Sequence, residues 1–178
     1  MEATVYAHTV EGLFYRSLKG RLPQPLKDEL RTLGLDVEQP AHDVPRTRWA
    51  EMLGAAVKHL YGALPADEGY FRLGQALMDG YKDTIIGKAL FATLRLLGPE
   101  RVLRRAVSLL QNGNNYVEGR ITELAPRRYE MWINECNGNP HYVRGVLTAG
   151  LTATGVRALQ CEVTAFDGHQ ATFLTTWA

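Results

Sequence analysis

NGNNYVEGRITELAPRRYEMWINE, residues 112–135, is where the chain changes character. Asn112-Gly113-Asn114-Asn115 is a run of four turn-forming residues, whose side chains or left-handed backbones compete with regular structure. Beyond it, residues 116–123 and 128–135 read as two strands joined through Ala125-Pro126. In the second, Tyr129, Met131 and Ile133 place apolar side chains on one face at period two. Downstream, Val143, Val146, Leu147, Gly150 and Leu151 mark a helix from Pro140 to Thr154, stopped by Gly155. The glycine on its buried side suggests close packing on a sheet. Residues Ala158–Ala165 and Ala171–Ala178 then flank Asp167-Gly168, a strong hairpin signal. The order from residue 112 onward is β-β-α-β-β.

Upstream, the period is helical. Trp49, Met52, Leu53, Ala56, Val57 and Leu60 form a continuous stripe between Pro45 and Leu64. After Pro65, Asp67 and Glu68 favour a first helical turn, and the helix runs to about Tyr81, although Gly69, Gly74 and Gly80 weaken it. Ile85, Ile86, Ala89, Leu90, Thr93, Leu94 and Leu97 make a third stripe, ending at Gly98-Pro99, from which a further helix reaches about Gln111. Two short helices, Gly12–Leu18 and Pro25–Leu33, suggest a small hairpin, and Ala3–Val10 reads as an opening strand or ordered arm. Asp36–Pro45, with two prolines, is a loop. Helices followed by strands argue an α+β fold. We expect one domain over residues 1–178, with a helical bundle (1–111) packed on an antiparallel sheet of about four strands (112–178).

The chain has 178 residues, 46% of them hydrophobic, enough for a sizeable core. Twenty Lys and Arg against 19 Asp and Glu leave a net charge of +1, so bulk basicity does not point to nucleic acid. Cys136 and Cys161 form neither a CxxC pair nor a disulfide framework. No stretch approaches the ~20 apolar residues of a membrane span, and the start lacks the pattern of a signal peptide. A cytoplasmic location is expected.

Several chemistries lack their residues. The only serines, Ser17 and Ser108, fall in predicted helices and no GxSxG elbow exists. The five histidines form no HExxH or Cys-His cluster, so no metal is expected, and neither GxGxxG nor a Walker-type run appears in a strand-turn-helix context. Cys136 with His141 is the last conceivable nucleophile pair. Arg95, Arg101, Arg104 and Arg105, with Arg127 and Arg128, form a basic cluster that reads either as an anion site or as a solvated helix face. In NNYVEGR, a strand would set Tyr116, Glu118 and Arg120 on one face, a row able to clamp an anionic ligand or to form a surface salt bridge.

Two resemblances rest on these residues. TVEGLF (9–14), LGLD (33–36), the Trp49 helix, LGQALMDGYKDTIIGKAL (73–90), LRLLGPERVL (94–103) and NGNNYVEGRITEL (112–124) resemble a large paralogous family of myxobacterial proteins of unknown function. A helical bundle followed by β-β-α-β-β is similar to haem-nitric-oxide-binding sensor domains, 4-vinyl-reductase-type domains and the Bet-type subunits of TRAPP tethering complexes. In the haem sensors a Tyr-x-Ser-x-Arg run holds the propionates and a histidine of the preceding helix binds iron. Here the run would be Tyr116-Val117-Glu118-Gly119-Arg120, with Glu in place of Ser, and residues 84–111 contain no histidine. The resemblance therefore implies ligand contacts at Tyr116 and Arg120, while the departures imply no haem, and no cofactor is expected.

The expectation is a non-enzymatic small-ligand-sensing or regulatory domain, with a pocket between helices and sheet and with Tyr116, Glu118 and Arg120 as ligand-binding residues. The ligand would be small and apolar or anionic. The competing expectation is a protein-interaction module acting as a homodimer or scaffold subunit.

Overall fold

The computed structural model describes residues 2–178. Thr4–Val5 (β1) pairs antiparallel with Val44–Pro45 (β2). On its other side β1 is tied to the Asn112–Asn115 turn, where Asn115 Oδ1 accepts from the Thr4 N–H (2.7 Å) and the Gly113 carbonyl accepts from the Tyr6 N–H (3.0 Å). The opening segment is thus a short strand followed at once by a helix, Ala7–Val10 (α1), which continues as a π-helical stretch, Glu11–Ser17. Next come Gln24–Thr32 (α2), Arg46–Tyr61 (α3), Ala66–Tyr81 (α4), Ile85–Arg104 (α5) and Ala106–Leu110 (α6). The second half contains Gly119–Ala125 (β3), Arg128–Ile133 (β4), Pro140–Thr152 (α7), Gln160–Phe166 (β5) and Ala171–Thr176 (β6). The α+β architecture read from the sequence is the one observed.

The small helical hairpin expected near the N-terminus does not form. The π-helical stretch packs chiefly on α4, and α2 packs on α3. Glycine decides the first contact: a Cβ on Gly12 would stand 3.1 Å from Tyr81 Cα, and one on Gly80 would overlap the Gly12 carbonyl oxygen. The glycines that weaken the α4 signal are the points where its neighbours touch its backbone. Further along the same helix, Gly74 crosses Gly145 of α7, and a Cβ on either would stand 3.1 Å from the other's Cα and overlap a main-chain carbonyl. So α7 lies mainly across α4, with β5 as its second support.

Thr84 caps α5, its Oγ1 accepting from the Gly87 N–H (3.0 Å). At Gly98 (φ 74°) the helix breaks and Pro99 restarts it, so the expected stop and start appear as a kink. The expected stripe faces the core only in part: Leu94 is buried and Leu90 and Leu97 are half-buried against the core, whereas Ile85 is 89% exposed. Leu96, three turns on and so on the same side as Ile85, is 85% exposed. With apolar residues all round, this helix carries no periodicity that singles out a buried face.

The four-stranded sheet has the order β3-β4-β6-β5, antiparallel throughout. Its central strands bury alternate residues, Tyr129, Met131 and Ile133 on β4, and Ala171, Phe173 and Thr175 on β6. In the Asp167-Gly168 hairpin, Asp167 Oδ1 accepts from the N–H groups of His169 (3.0 Å) and Gln170 (2.8 Å), which holds its carboxyl below the usual range. The core runs continuously from the sheet to the edge-on pair Phe14 and Trp49 (5.9 Å). Among the described residues no helix is long and apolar enough to cross a membrane.

Candidate functional site

A cavity of about 120 Å³ lies between α4, α5, α6, α7 and the segment entering β3. Its wall is mostly aliphatic, with Leu77, Leu90, Leu94, Val143 and Leu147 contributing from three helices. Polar groups gather where residues 113–117 and 133–137 meet: Asn114, Tyr116, Glu135 and Asn137 all line it. Leu94 serves because the capped N-terminus of α5 fixes the helix rotation, and the Gly74–Gly145 crossing sets the depth between α4 and α7.

The expected strand over 116–123 begins only at Gly119. Asparagine side chains take over the pairing before it. Asn114 Oδ1 accepts from the Tyr116 (3.1 Å) and Val117 (2.9 Å) N–H groups, and Asn134 Oδ1 accepts from that of Glu118 (2.8 Å). The period-two row is therefore broken. Tyr116 turns into the cavity, Glu118 and Arg120 are exposed outside it, and Arg120 lies over the Trp132 ring (5.9 Å). The structure brings only one of the three to the cavity.

Tyr116 Oη donates to Asn137 Oδ1 (2.5 Å). Asn137 adopts a left-handed backbone (φ 57°), and its N–H donates to Glu135 Oε1 (2.8 Å). Glu135 Oε2 accepts from Arg46 Nη1 (2.6 Å), and His169 Nδ1 lies 3.7 Å away. One chain of contacts thus joins the first turn of α3 to the polar end of the cavity. Sequence reasoning missed Glu135 and Asn137, although the signal was present: a Glu, an Asn and a Gly clustered directly after an alternating strand.

Burial raises the pKa of all three cavity tyrosines, Tyr81 to about 12 and Tyr116 and Tyr142 further, so each phenol keeps its proton. The Tyr81 hydroxyl is buried with no hydrogen-bond partner. An orphaned donor in an apolar wall costs roughly 1–3 kcal/mol and is satisfied by a guest with an acceptor atom.

The Cys136–His141 pair does not form. Cys136 is fully buried and its thiol is pushed up to about 12, first by burial and then by the charge of Glu135, so it is no nucleophile. His141, in the first turn of α7, has Nε2 3.3 Å from Asp67 Oδ2 and a buried Nδ1 without a partner. Burial lowers its pKa, the Arg144 charge adds to this, and Asp67 opposes it. A depressed histidine stabilises the fold above its unfolded pKa of about 6.5 and loses that contribution as the pH falls. Urea midpoints between pH 7.5 and 5 should therefore fall more steeply in the wild type than in His141→Asn.

The model of a family described as proteins of unknown function, DUF2378, matches residues 3–178. The chain belongs to that family. No curated protein matches this DUF2378 chain. Among solved structures it is similar to a variant of Tt H-NOX, with 12% identity over 99% of this chain and 95% of that one and a TM-score of 0.69. It is also similar to an Fe(II) unliganded H-NOX protein variant from K. algicida (13% identity, 97% and 95% coverage, TM-score 0.65). A third, solved in work on haem redox potential and protein-induced porphyrin distortion, gives 13% identity, 96% and 94% coverage and a TM-score of 0.67. At these identities the likeness is one of fold.

Haem does not fit the residues of this DUF2378 chain. The cavity is well below the roughly 300–1,000 Å³ of pockets for drug-sized ligands, and a porphyrin is larger than most of those. No histidine or cysteine lines it.

Proposed function

We propose that the protein is a non-enzymatic sensory or regulatory unit whose cavity holds a small, mainly apolar molecule carrying one hydrogen-bond acceptor. The observation that carries this reading is the unpartnered Tyr81 hydroxyl in the wall of a mostly aliphatic cavity of about 120 Å³. Apolar cavities of roughly 150 Å³ stay dry and take up guests of benzene size, so the volume suits a molecule of about six heavy atoms. Of the three residues expected to bind a ligand, Tyr116 serves here together with Asn137, at the polar end. Glu118, in the segment before β3, and Arg120, within β3, lie outside the cavity.

The test uses cyclopentanone and methylcyclopentane, which match in size and differ in the acceptor. Both should shift the methyl resonances of Leu94 and Leu147, and cyclopentanone should bind several-fold more tightly. Tyr81→Phe should abolish that preference, while raising stability because the orphaned hydroxyl is gone. Absence of any shift at millimolar probe overturns the reading. Added haemin should give no Soret band that survives gel filtration, and a stoichiometric one would overturn the haem-free assignment.

A second reading, a module that pairs with a copy of itself, is favoured by the exposed Ile85, Ile86 and Leu96 on α5. Closed two-fold pairing is the commonest way for a soluble chain to cover such a face. Light scattering should then give twice the chain mass, reduced to one by Leu96→Glu. A monomer at high concentration removes this reading.

A further inference from the structure

Three arginines distant in sequence meet at an open groove on the far side of α5. Arg101 follows the Gly98 break, Arg127 occupies the β3–β4 turn, and Arg157 lies in the α7–β5 loop. Leu97, Val156 and Trp177 supply the apolar part, and the groove encloses about 810 Å³, within the ordinary size of small-molecule sites. None of the three guanidinium groups forms an ion pair among the described residues. The neighbouring Arg104, by contrast, is engaged by Glu100 and Glu123. Ala178 also lines the groove.

Backbone bonds fix the arrangement. The Trp177 N–H donates to the Arg127 carbonyl (3.3 Å), and the Ala178 N–H donates to that of Arg157 (3.2 Å). The end of β6 therefore holds both arginine-bearing loops. Arg127 adopts φ 61°, a left-handed conformation that glycine or asparagine would reach at lower cost. One face of Trp177 stacks on Tyr129 (5.5 Å between centroids, 2° between planes), which fixes the indole beside the groove.

We propose that this groove binds a small phosphorylated organic anion with a flat ring, a nucleoside phosphate being the type. Three guanidinium forks without ion pairs, one from α5 and two from loops, line one groove and suit phosphate oxygens. The indole edge with Leu97 and Val156 suits the ring. This inference does not depend on the reading of the cavity, although α5 walls both sites.

Calorimetric titration of the full chain with ATP, tripolyphosphate and adenosine tests it. ATP should bind, adenosine should not detectably, and tripolyphosphate should bind at least fivefold more weakly than ATP. Arg127→Gln and Arg157→Gln should each weaken ATP about tenfold, as for loss of one charge-assisted contact, with cyclopentanone binding unchanged. Both side chains are exposed, so both variants should keep the wild-type melting temperature and circular dichroism. No ATP binding by about 1 mM, affinity unchanged in both variants, or tripolyphosphate equal to ATP would overturn the proposal.

Discussion

Gly145→Ala should lower stability by about 2 kcal/mol, whereas Gly54→Ala, the same change in α3, should raise it by about 0.5–1 kcal/mol. Both positions lie inside helices, where alanine is intrinsically better than glycine by about 1 kcal/mol. The surroundings decide the sign. A Cβ at Gly54 would meet only the tip of the Tyr70 side chain at 3.4 Å, ordinary van der Waals contact. A Cβ at Gly145 would overlap the Phe71 carbonyl oxygen and approach the Gly74 Cα, main-chain atoms that no rotamer change can move. The α4–α7 pair must then separate, loosening the contacts on both sides of the cavity. In thermal unfolding the expected shifts are roughly 4–8 °C downward and about 1–4 °C upward. Gly74→Ala should resemble Gly145→Ala, and the double variant should cost less than the sum because both residues open the same crossing. Shifts of equal sign at 54 and 145 would show that the helices do not meet on these glycines.

The same glycines explain what was legible in the sequence. Hydropathy periods place α3, α4, α7 and the central strands β4 and β6 because each carries a regularly spaced apolar face. They could not pair the first helices correctly, since helix proximity there depends on the absence of a side chain at Gly12 and Gly80. Nor could they orient α5, whose apolar residues occupy every side. The clean alternation on β4 and the Asp167-Gly168 turn were readable because strand register and turn chemistry are local.

The site was harder to read for a related reason. Tyr116 was visible as a polar aromatic beside an apolar helical layer, but its neighbours Glu118 and Arg120 joined it only through an assumed strand. Asparagine side chains at 114 and 134 replace the ladder there, and a pattern of alternating residues does not reveal that substitution. The basic cluster was partly visible as well. Arg101 and Arg127 share a groove, while Arg104 is spent on two glutamates, and Arg157 enters only because the fold returns the chain to the same place.

Glu135→Ala should have the largest effect of any single polar substitution, a loss of about 3 kcal/mol. Removing one partner of a buried ion pair costs about 3–5 kcal/mol, and the lower end applies here because the Arg46 side chain is 31% exposed. Glu135 also accepts the buried Asn137 N–H, which would lose its acceptor, and it places negative charge by the N-terminal turn of α3. Glu135→Gln keeps one acceptor oxygen, enough for the Asn137 N–H, but turns its NH2 group toward Arg46, so it should cost less than alanine, about 2 kcal/mol. The functional consequence separates this residue from a merely structural one. With Asn137 released from its left-handed turn, Tyr116 loses its fixed partner, so cyclopentanone affinity should fall in Glu135→Ala and hold in Glu135→Gln. If urea unfolding instead gives equal losses for alanine and glutamine, the charge of Glu135 matters and its hydrogen bonds do not. The polar end of the cavity would then be held by Asn137 alone.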